Sequence, residues 1–219
     1  MGYFEKIIAL ATYVCIASAL TTPMGYGYPT LSEVQQKFIS EGVVPDVLAS
    51  FDPTGLLYLV YSGDLSDGTN AKVVLPGTNF ARDDTLTTPQ FSLHGINNGT
   101  YLIAIVDPDA PSRANPTVSQ IRHMFATDFV LSEMRPNFAT RSLVLRNSTA
   151  AISPYFPPNP PVGSGAHRYV ALLYAQPNNF NVTSLNTTQI ANFNISSFAT
   201  SAGLGEPLAG TFLTVEQKA

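Results

Sequence analysis

Two periods of apolar spacing run along this chain, and the change from one to the other marks its elements. Between residues 30 and 42 apolar side chains recur at helical intervals, at Leu31, Val34, Phe38 and Ile39. Thr30 and Glu33 stand three apart at the start of that run, so hydroxyl and carboxylate can each cap the other's backbone amide, and Gly42 follows its end. The pattern predicts one helix there. Beyond it the runs become short, rich in β-branched and aromatic residues, and bounded by Gly, Pro, Asn and Asp. Strands are expected at Leu56–Tyr61, Ala71–Leu75, Gln90–Leu93, Tyr101–Val106, His123–Val130, Ser142–Leu145 and Arg168–Gln176, with a last one at Leu208–Val215. Leu102–Val106 and Tyr169–Tyr174 are apolar at odd and even positions alike, which marks central strands covered on both faces. A second helical stretch is expected within Thr187–Ala202. Many short strands with few helices read as a mainly β fold, a sandwich or barrel with peripheral helices.

One apolar run does not fit that scheme. Ile7–Leu20 is fourteen residues long, follows Lys6, and contains Ala17-Ser18-Ala19. It is shorter than the ~20 residues a membrane span needs and has the form of a secretory signal ending at Ala19. No later run approaches that length, so a spanning helix is excluded. The expectation is a signal peptide over 1–19 and one domain over 20–219, secreted or lumenal.

Charge sharpens the picture. Only 12% of residues are charged, against 45% hydrophobic, and the formal net charge is −4. That balance excludes a basic nucleic-acid-binding surface and a disordered chain. Cys15, the only cysteine, falls within the signal, so the mature chain has neither disulfide nor thiol nucleophile. Five sequons, at Asn98, Asn147, Asn181, Asn186 and Asn194, suggest that glycans supply the solubility that charge does not.

Polar residues gather at two places. Asp107-Pro108-Asp109-Ala110-Pro111-Ser112-Arg113 follows a central strand, and the period of two puts Asp107 on the face of Tyr101, Ile103 and Ile105. Gly163-Ser164-Gly165-Ala166-His167-Arg168-Tyr169 enters the other central strand, with His167 and Tyr169 on one face. His123 is the remaining polar residue at the start of a strand. Histidines beside an aspartate can hold an oxyanion, perform acid–base chemistry or ligate a metal. The residues lack the close spacing of a metal motif, and the chain has no G-x-S-x-G turn, so neither a metal, a cofactor nor an enzyme is expected. His94 is expected as an exposed loop residue, and Tyr155-Phe156-Pro157-Pro158 as a packing or docking loop.

Taken together with Pro160-Pro161, these segments resemble the two signature regions of the phosphatidylethanolamine-binding protein family, which includes Raf kinase inhibitor proteins, plant flowering regulators and fungal carboxypeptidase Y inhibitors. The resemblance implies an antiparallel β-sandwich with peripheral helices and a small pocket for anionic head groups such as phosphate or phosphoethanolamine. It implies Asp107, Asp109, Pro111, His123, Pro161, His167 and Tyr169 as ligand-binding residues, with Arg113 and Arg168 as structural members of the motifs. A salt bridge from Arg168 to Asp107 or Asp109 is expected. The chain departs from the family at Ile121-Arg122-His123, where Trp-His-His is frequent, and at Val118, where many members have tyrosine. Partners implied are a small anion or phospholipid head group. Inhibition of a secreted serine carboxypeptidase, with Gly25-Tyr26-Gly27-Tyr28-Pro29 as an inserted arm, and acid–base chemistry on a small metabolite are the alternatives.

Overall fold

The computed structural model describes residues 28–61, 70–137, 140, 142–182 and 185–218; the expected signal peptide and Cys15 lie outside them. The first helix, α1 (Leu31–Ser40), starts at the expected reciprocal Thr30–Glu33 cap. Its buried stripe is narrower than the sequence suggests. Val34 and Phe38 are covered, whereas Leu31 and Ile39 are 39% and 48% exposed. Gly42, at φ 71°, turns the chain into a short helical turn, α2 (Val43–Asp46).

The strands are β1 (Leu56–Tyr61), β2 (Lys72–Val73), β3 (Thr78–Phe80), β4 (Gln90–His94), β5 (Tyr101–Asp107), β6 (Ile121–Asn137), β7 (Ser142–Asn147), β8 (His167–Ala175) and β9 (Ala209–Val215). A further helix, α3 (Ile195–Ala202), lies within the stretch expected to be helical. The strands form one sheet in the order β2-β1-β4-β7-β6-β5-β8-β9-β3. Their pairings are antiparallel except for β3, which lies parallel to β9. The strand expected at Ala71–Leu75 is reduced to two residues, while that expected at His123–Val130 extends over Ile121–Asn137.

The sheet curls. The amides of Thr54 and Gly55, just before β1, donate to the carbonyl of Leu208, just before β9, at 2.8 and 3.2 Å. Curling gives both faces of β5 and β8 a cover, which is why these strands are apolar throughout. On one face Leu102, Ala104, Val106, Val170 and Leu172 pack beneath Val34 and Phe38 of α1 and Phe198 of α3. On the other, Ile103, Ile105, Ala171 and Leu173 meet Leu57 and Leu59 of β1 and Leu213 of β9. Gly210 permits the close approach of α1, since a Cβ there would sit 2.9 Å from Phe38 Cζ. Truncating Phe38 would cost about 3–5 kcal/mol, as is usual for a buried aromatic.

Candidate functional site

Asp107 ends β5 and His167 begins the neighbouring β8, so the two motifs meet at one end of the sheet. Both side chains are buried, at 3% and 1% exposure. Asp107 Oδ2 accepts from His167 Nδ1 at 2.9 Å, and Asp107 Oδ1 accepts from the Asp109 amide at 2.7 Å. The other ring nitrogen, Nε2, lies 3.0 Å from Ser164 Oγ, whose proton goes to the Pro161 carbonyl at 2.7 Å. A doubly protonated ring satisfies the whole network, with Nδ1 donating to Asp107, Nε2 donating to Ser164 and the hydroxyl donating to the Pro161 carbonyl. Burial disfavours that charge, but the bond to Asp107, the negative charges of Asp107 and Asp109, and a backbone hydrogen bond at Pro111 outweigh it. The His167 pKa is therefore raised.

His123 reaches the same face through a β-bulge. Ile105 pairs with Met124 but Val106 pairs with Arg122, which leaves His123 as the extra residue of β6. The bulge turns His123 toward Tyr169, their rings edge to face at 4.9 Å, and turns Arg122 to the opposite face over Phe193. His123 Nδ1 donates to the Phe156 carbonyl at 2.6 Å, and its ring stacks on that of Phe156. Burial lowers its pKa, with the charge of His167 adding to the effect, against the opposing pull of the Phe156 carbonyl and Asp107. The two histidines thus differ in tendency, the surroundings of His167 favouring the charged ring and those of His123 the neutral one, whose Nε2 is then an acceptor. Tyr169 lies beside both rings, and burial first, then the Asp107 charge, keeps its phenol protonated.

The remaining residues of the motifs frame this cluster. Pro111 and Pro161 are exposed at its rim. Asp109 is only 1% exposed, and both of its oxygens are taken by Arg168: Oδ1 from Nη2 at 2.6 Å, Oδ2 from Nε at 2.9 Å and from the backbone amide at 2.8 Å. This is the expected salt bridge, and it places Asp109 behind the cluster as its support. Arg168 also donates to Asp46 Oδ2 and to the Glu41 carbonyl, both at 2.8 Å, and Arg113 donates to the same carbonyl at 2.7 Å. Gly42 makes this convergence possible, since a Cβ there would sit 3.1 Å from Arg113 Nη2 and 3.3 Å from Arg168 Nη1. Sequence reasoning assigned no role to Ser164, although it stood within the quoted motif, or to the carbonyl of Phe156 and the side chain of Asp46, which no local pattern marks. His94 is exposed at the end of β4, away from the motifs.

The family model for phosphatidylethanolamine-binding protein matches residues 66–214. A 26 kDa secreted antigen of Toxocara canis is 28% identical over 180 residues, which cover 80% of this chain and 61% of that protein. CEN-like protein 1 of Nicotiana tabacum is 27% identical over 188 residues, 85% of this chain and 95% of that protein. Among solved structures, a carboxypeptidase Y inhibitor complexed with its cognate proteinase superposes with a TM-score of 0.72 at 22% identity, covering 86% of this chain and 97% of that one. The phosphatidylethanolamine-binding protein from Plasmodium vivax superposes at 0.65 and 19% identity, covering 87% and 98%.

Proposed function

Because the chain belongs to the phosphatidylethanolamine-binding protein family, we propose that it is a secreted binding protein whose Asp107–His167–His123 cluster takes a small oxyanion of the phosphate or phosphoethanolamine type. The observation that carries this reading is the state of His167. Its Nε2 meets a serine hydroxyl on a loop that carries Gly163 and Gly165 at φ 77° and 84°. A phosphoryl oxygen replacing Ser164 there would gain a charge-assisted hydrogen bond. A protonated phosphoryl oxygen could at the same time donate to the neutral Nε2 of His123. Exposure of all five sequon asparagines, Asn98, Asn147, Asn181, Asn186 and Asn194, supports glycosylation during export.

Calorimetric titration with inorganic phosphate and with phosphoethanolamine tests the reading. Both should bind more tightly at pH 6 than at pH 8, and His167→Gln should weaken binding and reduce that difference, the remainder coming from the protonated ligand oxygen that donates to His123. Equal or tighter binding at pH 8 overturns it. Expression of the full chain in a eukaryotic host should yield medium protein that begins at residue 20 and gains mobility on enzymatic deglycosylation.

A second reading, inhibition of a serine carboxypeptidase, takes its support from the likeness to the carboxypeptidase Y inhibitor. Residues 25–27 of the proposed arm lie outside the described residues, so its test is functional. An inhibitor would lose potency on deletion of residues 20–29, with anion binding unchanged.

A further inference from the structure

The bulge that turns His123 to one face of β6 turns Arg122 to the other, and Arg122 is an anomaly. It is 1% exposed, yet among the described residues no carboxylate forms an ion pair with it. Its guanidinium donates from Nε to Ser153 Oγ at 3.1 Å and from Nη2 to the Asn186 carbonyl at 2.8 Å, and it lies 4.9 Å above the Phe193 ring. No hydrogen bond of Nη1 is among these contacts. Burial lowers its pKa, the direction expected of a cation without a compensating anion. A charge removed from water is normally matched by an opposite one.

Arg122 lines a cavity of about 230 Å³ together with Asn186, Gln189, Asn192, Phe193 and Asn194, and none of the residues lining it is acidic. The amide groups there are biased toward donation. Asn186 Oδ1 already accepts from the Thr188 and Gln189 amides, and Asn194 Oδ1 accepts from the Ser197 amide as the cap of α3. Each is left with its Nδ2 donors. The positive end of α3 starts at this cavity as well.

We propose that this cavity is a second anion site, on the opposite face of the sheet from His123 and His167, which takes a compact oxyanion such as phosphate, sulfate or a small carboxylate. Arg122 supplies the charge and the asparagine amides complete the donor set. The cavity is too small for a drug-sized ligand, which occupies roughly 300 Å³ or more, but holds one tetrahedral anion with water. Asn186 and Asn194 also head sequons, and a glycan on either Nδ2 would leave that amide one N–H and crowd the cavity, so the site belongs to the chain in which these two are unglycosylated, and protein from a bacterial host is the sample to test.

The experiment is titration of that protein with inorganic phosphate at pH 6, followed by calorimetry and thermal melting. Arg122→Met removes the charge at similar volume. Asn192→Asp, at an exposed position of the rim, places a carboxylate in the cavity without touching the core. Each variant should lose one equivalent of bound phosphate, or weaken its binding at least tenfold, while His167→Gln retains that equivalent. Asn192→Asp should also melt about 2–4 °C higher than the parent in phosphate-free buffer, because it supplies the missing counter-charge. Unchanged phosphate binding in either cavity variant overturns the proposal. If Arg122→Met does not fold, Asn192→Asp decides alone.

Discussion

Two buried arginines stand on β6 and β8, the strands on either side of β5, and solve the same problem in opposite ways. Arg168 is 2% exposed and is surrounded by acceptors: Asp109 grips it through both oxygens, Asp46 meets Nη2, and the Glu41 carbonyl meets Nη1. Although burial works against its charge, these carboxylates raise its pKa. Arg122 is buried as deeply but, among the described residues, meets a hydroxyl, a carbonyl and an aromatic face and no carboxylate, and its pKa is lowered. The difference separates a charge that holds the fold from one that is left available. Arg168 ties α2 and the Asp107–Arg113 loop to β8 and so fixes the floor beneath Asp107 and His167. Arg122 joins β6 to Ser153 and Asn186 through neutral acceptors alone.

Making the same substitution at both positions is the strongest way to break this contrast. Arg168→Met strands Asp109 at 1% exposure without a partner, and removal of one member of a buried pair typically costs about 3–5 kcal/mol. Arg122→Met strands no charge. Replacement of a buried charge by an apolar side chain of similar volume is often neutral or stabilising by about 1–4 kcal/mol. Urea denaturation of the two variants in anion-free buffer should therefore give changes of opposite sign, or a large loss against none. A comparable loss at both positions would show that Arg122 is as structural as Arg168.

The sequence made one of these roles readable and hid the other. Asp109 and Arg168 stood in motifs with a resemblance behind them, and strand parity placed Asp107 with Tyr101, Ile103 and Ile105 on one strand and His167 with Tyr169 on the other. The Thr30–Glu33 cap and the two central strands were equally legible, because each depends only on local chemistry or on apolar runs. Arg122 was visible only as a departure. Its direction depends on a bulge at His123, and a bulge is set by the register against a partner strand, which no local pattern encodes. The same reason hid β3, whose partner β9 lies far along the chain. Leu31 and Ile39 misled for the converse reason, since helical spacing says which residues share a face but not how far the neighbouring elements reach over it.

The two histidines carry the contrast into pH dependence, with a smaller effect. His167 has a raised folded pKa, so its contribution to stability is present below the unfolded value near 6.5 and is lost as pH rises through the higher folded value. His123 has a lowered folded pKa, so protonation favours the unfolded chain and stability is lost as pH falls below about 6.5. In the parent these slopes oppose each other around neutrality. Chemical denaturation from pH 5 to 8 should show His167→Gln losing stability toward acid more steeply than the parent, and His123→Gln gaining stability as pH falls from 7.5 to 6. Parallel slopes in the two variants would mean that the histidines do not differ in state.

Arg113 provides the smallest effect and the control for the rest. It lies in the same motif as Asp109 and donates to the same Glu41 carbonyl as Arg168, but it is exposed and forms no ion pair among the described residues. Its removal leaves that carbonyl, at the C-terminal cap of α1, still satisfied by Arg168 Nη1. No buried group is orphaned, and the lost bond is one that water can replace. Arg113→Ala should therefore cost no more than about 0.5 kcal/mol in urea denaturation, the usual range for surface positions. A loss above about 1.5 kcal/mol would show that the cap needs both arginines. The rigidity now assigned to Arg168 would then be shared across the Asp107–Arg113 loop, and the cost of Arg168→Met could no longer be read as the isolation of Asp109 alone.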